Sequence, residues 1–261
     1  MNSLRNINNR NIRLIARLDI KGDKLIKGVH LEGLRQVGLP NNFALQYYNS
    51  LIDEIIYIDV VASLYQRSIK AELVKEASKD IYVPLTVGGG IRSLDDADIL
   101  YKSGADKIVL NTAAVANPSL VSELVEKYGS QAVICSIESK KITENTWEVY
   151  TESGRQKTNI SVLEWAKNME KIGVGEILLT SIDREGTRSG FDEKLAYLIC
   201  NAVDLPVIIS GGFGSLNHLS PVLEAGVDGI AIADALHYNK FSISEIKKKI
   251  LELGYDVRVN E

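Results

Sequence analysis

The chain has 261 residues, 45% hydrophobic and 25% charged, the balance of a soluble globular protein. A net charge of −4 and a pI near 5.6 argue against nucleic acid as its main partner. Its two cysteines, Cys135 and Cys200, lie in apolar runs, which argues against a disulfide scaffold and for reduced thiols in a cytoplasmic protein; no apolar stretch is long enough to span a membrane.

Taken in order, residues 1–11 form an Asn- and Arg-rich start that predicts a flexible tail, with no apolar core for a signal peptide. Residues 12–261 predict one domain. Its eight strand candidates are Arg13–Asp19, Glu54–Asp59, Pro84–Val87, Lys107–Asn111, Ala132–Glu138, Glu176–Ser181, Pro206–Ser210 and Gly229–Ala233. Most are separated by amphipathic helical patterns ending in glycine, such as 161–172 before Gly173 and 216–225 before Gly226. Two connections are longer. Residues 21–40 carry Gly22, Gly28, Gly33 and Gly38 and predict a mobile lid. Residues 140–159 alternate at Trp147–Tyr150 before Ser153-Gly154 and predict a small hairpin.

The stretch from Val83 to Thr112 occurs twice. Leu205 to Gly212 answers to Val83 to Gly90 at an offset of 122 residues, and Gly226, Asp228 and Glu176 answer at the same offset to Gly104, Asp106 and Glu54. Two copies of a four-strand unit predict a closed (β/α)8 barrel built from half-barrels. Gly88-Gly89-Gly90 and Gly211-Gly212 allow sharp turns with free backbone N–H groups, as do the strand end Asn111-Thr112 and its counterpart Ala233-Asp234. Such loops hold phosphate.

Strand ends at the mouth of a barrel carry its chemistry. Asp19 and Glu138 end the first strands of the two halves and so face each other, which suits paired acid–base work. Capping a helix or pairing with a cation would explain them equally well. At the opposite end Arg13, Glu54, Lys107 and Glu176 begin strands where apolar residues belong; a salt-bridge layer closing the barrel floor accounts for them structurally. The loop 181–190 is polar and Gly-punctuated, as functional barrel loops and solvated turns both are. The three histidines are scattered. No nucleophile constellation, metal-ligand cluster or cofactor motif is visible.

From Arg13 onward the chain resembles the cyclase subunits (HisF) of imidazole glycerol phosphate synthase. The resemblance rests on Leu18-Asp19-Ile20, Lys27-Gly28-Val29, Leu85 through Ile91, Gly104 through Lys107, Asn111 through Ala114, Gly129 through Val133 and Gly175 through Gly190. It implies a lyase of histidine biosynthesis. Such an enzyme takes ammonia from a glutaminase (HisH-like) docked on the barrel floor. It joins the ammonia to a phosphoribulosyl-formimino-carboxamide ribotide, giving imidazole glycerol phosphate and aminoimidazole carboxamide ribotide. Carried over by position, Asp19 and Glu138 become catalytic and Lys27 the lid lysine. Gly89, Asn111 and Thr112 become one phosphate site, Gly211 and Gly212 part of the other, and Asp183 belongs to the loop motif. Arg13, Glu54, Lys107 and Glu176 become an ammonia gate.

Three positions depart from that pattern. Glu138 stands where the family has aspartate, Arg17 where a small residue is usual, and Asp234 where a serine follows the alanine of the second phosphate site. These departures resemble a side branch that channels ammonia for amidating a surface-polysaccharide sugar. A non-catalytic glutaminase activator is a further alternative, against which the lid and upper carboxylates count. An isomerase of the same half-barrel superfamily would share Asp19 and both glycine loops but needs no gate.

Overall fold

A computed structural model describes residues 10–259. Twelve strands are formed: β1 (Arg13–Lys21), β2 (Lys24–Val29), β3 (Glu32–Gly38), β4 (Glu54–Asp59), β5 (Leu85–Gly88), β6 (Lys107–Leu110), β7 (Val133–Thr143), β8 (Thr146–Thr151), β9 (Gln156–Ser161), β10 (Glu176–Ser181), β11 (Val207–Ser210) and β12 (Gly229–Ile232). Eight pair in parallel in the order β1, β4, β5, β6, β7, β10, β11, β12, and β12 returns to β1. This is the closed (β/α)8 barrel expected from the duplication. All eight expected strands are present, seven of them with ends within two residues of expectation and β7 running five residues further.

The tail expected over residues 1–11 falls mostly outside the described residues. Its last two do not behave as a tail. Asn11 bridges Asp256, and the Asp256 amide donates to the Arg10 carbonyl, so the chain start is tied to the C-terminal segment.

Strand alternation sorts β1 into two faces. Leu14, Ala16, Leu18 and Ile20 point outward into the main core under the helices. Arg13, Ile15, Arg17 and Asp19 point inward, stacked from floor to mouth. The inner apolar layer is Ile15 with Ile56, Val109, Ile134, Leu178, Ile208 and Ala231, one side chain from seven of the eight strands. It separates the charged floor from the charged mouth.

Both long connections fold. Residues expected as a mobile lid form the antiparallel hairpin β2–β3, which extends from β1 through Ile20 and Leu25. The second connection is larger than a hairpin. β7 runs on past the barrel and pairs with β8, which pairs with β9, giving a three-stranded antiparallel flap. Its β8–β9 turn holds Glu152, Ser153 and Gly154 all at φ between 53° and 76°. Two non-glycine residues in the left-handed region mark a constrained turn.

Candidate active site and barrel floor

The duplication persists in atomic detail. Gly89 and Gly211 are both left-handed, at φ 104° and 94°. A Cβ on Gly89 would strike the Asp59 backbone, and one on Gly211 would lie 2.9 Å from the Ser181 carbonyl. Asp59 and Ser181 are themselves 122 residues apart and end corresponding strands. Only glycine allows the loop to pack this close while keeping the positive φ.

The first glycine loop borders an open cavity of about 220 Å³, lined by Gly89, Gly90, Asn111, Thr112, Ser63 and Glu138 among others. The turn of the β8–β9 flap covers it. The Glu152 amide donates to Thr112 Oγ1 at 3.1 Å, Asn111 Nδ2 donates to the Tyr150 carbonyl at 3.0 Å, and the Gly154 amide donates to Glu138 Oε2 at 2.8 Å. Asn111 Oδ1 and Glu152 Oε2 are buried without a partner. Of the expected site residues, Gly89, Asn111, Thr112 and Glu138 therefore meet in one cavity. Asp59 shares it, but its carboxylate is tied to Arg67 at 2.6 Å.

Asp19 sits in a buried chain of alternating charge. Arg17 Nε donates to Asp19 Oδ1 at 2.9 Å, and Lys27 Nζ lies 4.0 Å from Asp19 Oδ2 while pairing directly with Glu185. Arg17 is 2% exposed and crosses the barrel to Thr180 Oγ1 at 2.8 Å and Ser210 Oγ at 3.2 Å. Burial pushes the Asp19 carboxyl up, but Arg17 and Lys27 outweigh burial and hold it below its usual range. Burial pushes Glu138 up to about 7, with Arg17 and the Gly154 amide only partly opposing. At neutral pH one carboxyl is thus a base and the other is close to half-protonated, the division of labour that acid–base chemistry needs.

Two buried residues near Asp19 are not singled out by the sequence pattern. Glu185, 3% exposed, is the partner of Lys27. Asp183, two residues earlier in the same loop, instead accepts the Lys141 amide at 2.8 Å. His237, which pattern alone left as a stray histidine, is 4% exposed, with Nδ1 2.7 Å from the Tyr47 hydroxyl. Burial, with Lys27 nearby, pushes its imidazole down to about 4, so it stays neutral. The signal available for Glu185 was positional: at the 122-residue offset it answers to Ser63, which lines the first cavity. The N-cap of the helix Asp234–His237 is Ala233, and Asp234 is its first residue, paired with Arg188.

At the floor, the four charges close a ring. Arg13 Nη1 donates to Glu54 Oε1 at 2.9 Å and Nη2 pairs with Glu176 Oε1, while Lys107 Nζ lies 3.4 Å from Glu54 Oε2 and from Glu176 Oε2. Each cation bridges both carboxylates, and each carboxylate divides its oxygens between the two cations. The ring lies directly beneath the apolar layer.

A closed barrel of duplicated halves, with a glycine turn in each half and two buried carboxyls at its mouth, is the architecture of a (β/α)8 enzyme. A family model described as "Histidine biosynthesis protein" matches residues 13–242. The chain is similar to the imidazole glycerol phosphate synthase subunit HisF of Legionella pneumophila, 55% identical over 80% of this chain and 99% of that protein. It is similar to the same subunit of Thermococcus onnurineus, at 45% over 95% and 98%, and of Pyrococcus furiosus, at 42% over 95% and 98%. The chain belongs to the histidine biosynthesis protein family. Among the described residues no helix is long and apolar enough to cross a membrane.

Proposed function

We propose that the chain is the cyclase subunit of an imidazole glycerol phosphate synthase and acts in histidine biosynthesis. It takes ammonia from a glutaminase partner and converts the phosphoribulosyl-formimino-carboxamide ribotide to imidazole glycerol phosphate and aminoimidazole carboxamide ribotide. The observation that carries the reading is the pairing of an ionised Asp19 with a raised Glu138 across one mouth, beside an open glycine cradle. Asp19 accepts a proton from the incoming nitrogen as the new carbon–nitrogen bond forms. Glu138 gives a proton to the oxygen that leaves as water. Gly89, Asn111 and Thr112 hold one phosphate, and Gly211 and Gly212 help to hold the other.

The partner docks on the floor, around the ring of Arg13, Glu54, Lys107 and Glu176. Ammonia enters through that ring and passes the apolar layer, which disfavours its charged form. The work is cytoplasmic, among small phosphorylated metabolites.

A second reading has one observation in its favour. The second cradle carries Asp234 and Glu185 beside its glycines, an arrangement more suited to a barrel that delivers ammonia for sugar amidation than to one gripping two phosphates. Calorimetric titration with the bisphosphate nucleotide separates the two. The cyclase reading predicts micromolar binding, weakened at least about tenfold in Thr112→Asp by a like charge in the first cradle. Millimolar binding indifferent to that substitution would favour sugar amidation.

A further inference from the structure

The two halves of the barrel present the same glycine turn, yet the two cradles differ in what fills them. The first leaves about 220 Å³ open, and the second, lined by Gly211, Gly212, Ser210, Ala233, Asp234 and Glu185, leaves about 20 Å³. The duplication also shows a difference in side chain at the cradle itself. Position 63 in the first half is a serine; its counterpart is Glu185, whose Oε2 lies 3.1 Å from where a Cβ on Gly211 would sit. A carboxylate therefore stands in the second cradle where the first has a short neutral side chain. Asp234, also at this cradle, is turned to Arg188 on the rim.

Glu185 is held there from two directions. Its carboxylate pairs with Lys27 on β2, and its carbonyl accepts the His30 amide at 2.8 Å. His30 Nδ1 reaches the Ile182 carbonyl at 2.9 Å. Gly186 packs so close that a Cβ there would strike the Gly28 carbonyl and lie 2.9 Å from Val29 Cα. The β2–β3 hairpin is thus docked on the loop that carries Glu185, with Lys27 as the counter-ion.

We infer that Glu185 is a built-in competitor for the Gly211–Gly212 cradle, so that an arriving phosphate must displace its carboxylate and take over Lys27. On the bisphosphate reading above, on which this rests, the two ends of the substrate bind in order. The Gly89–Thr112 cradle fills first, and the second end engages only as Glu185 withdraws. Glu185 then sets which substrates are accepted: a single phosphate fills the first cradle well before it reaches the second. A ligand whose first phosphate is already anchored brings the second group at the high local concentration that evicts the carboxylate.

The test uses inorganic phosphate and needs no turnover, so its failure is distinct from a failure of the functional reading. Backbone amides of Gly89 and Thr112, and of Gly211 and Gly212, are followed by NMR as ¹⁵N-labelled protein is titrated. The wild type should show Gly211 and Gly212 responding only at about tenfold higher phosphate, or more, than Gly89 and Thr112. In Glu185→Gln the two sets should saturate within about threefold of each other. Glu185→Asp keeps the charge near Lys27 but withdraws the carboxylate by one methylene, and should fall between; it also serves where the glutamine variant folds poorly because Lys27 has lost its direct partner. Equal titration of both cradles in the wild type would overturn the inference, as would weaker Gly211 and Gly212 responses in both variants.

Discussion

Arg17 Nε donates to Asp19 Oδ1 at 2.9 Å inside the barrel, two residues apart on the same inward face of β1. The pair fixes the protonation state of Asp19 and leaves Lys27 as its second cation. Replacing Arg17 by Met keeps the length and removes the charge. Asp19 then keeps only Lys27, 4.0 Å away, as a counter-ion; breaking a buried ion pair costs up to about 3–5 kcal/mol, so Arg17→Met should unfold at clearly lower urea. Where ionised Asp19 is needed, the acid limb of the rate profile should also move to higher pH. An unmoved limb would mean that Arg17 does not govern Asp19.

Glu138 gives a stability signature with the opposite sign from an ordinary carboxylate. Its folded value, about 7, lies above the unfolded 4.5, so the fold favours the protonated form. Stability from this group is complete below pH 4.5, falls as pH rises from 4.5 to about 7, and is level above that. The shift corresponds to about 3 kcal/mol. Glu138→Gln removes the titration, so the variant should gain on the wild type by roughly that amount between pH 4 and pH 8 in chemical denaturation. A constant difference across that range would mean that Glu138 ionises normally.

Asp19 should dominate the chemistry. Asp19→Asn should lower ammonia-dependent turnover by about 10²- to 10⁴-fold while leaving the circular dichroism spectrum unchanged. A variant with near wild-type rate would reduce Asp19 to a counter-ion for Arg17.

The barrel was legible because duplication and strand periodicity are properties of the chain itself. The 122-residue offset placed Gly89 beside Gly211 and Asn111 beside Ala233 before any contact was known. The same alternation put Arg17 and Asp19 on one face, and both face inward. What pattern could not supply is direction within a loop. Asp183 and Glu185 share one Gly-rich turn, and its backbone path alone decides that Glu185 enters the mouth while Asp183 caps the Lys141 amide. The fate of residues 21–40 depended on a docking surface far away in sequence: the Gly186 backbone supplies it, and the expected lid becomes a hairpin. His237 is buried against Tyr47, 190 residues away, which no local window contains.

The floor ring predicts a separation of two activities. Lys107→Met leaves Glu54 and Glu176 sharing Arg13 alone, loosening a closure that now uses all four carboxylate oxygens. Ammonium-driven turnover should stay within about threefold of wild type, since the mouth is untouched. Glutamine-driven turnover with the glutaminase partner should fall by about tenfold or more as coupling across the floor fails; tenfold is only about 1.4 kcal/mol. Equal losses in both assays would make the ring a structural layer alone.

The central claim is that this barrel performs the cyclase reaction and leaves glutamine hydrolysis to a partner. The direct measurement supplies the purified chain with the bisphosphate formimino nucleotide and either ammonium or glutamine, and follows both products by chromatography. With ammonium, imidazole glycerol phosphate and aminoimidazole carboxamide ribotide should appear in equal amounts, and with glutamine alone neither should form. Absence of both products with ammonium, or turnover of glutamine without a partner, would contradict the account.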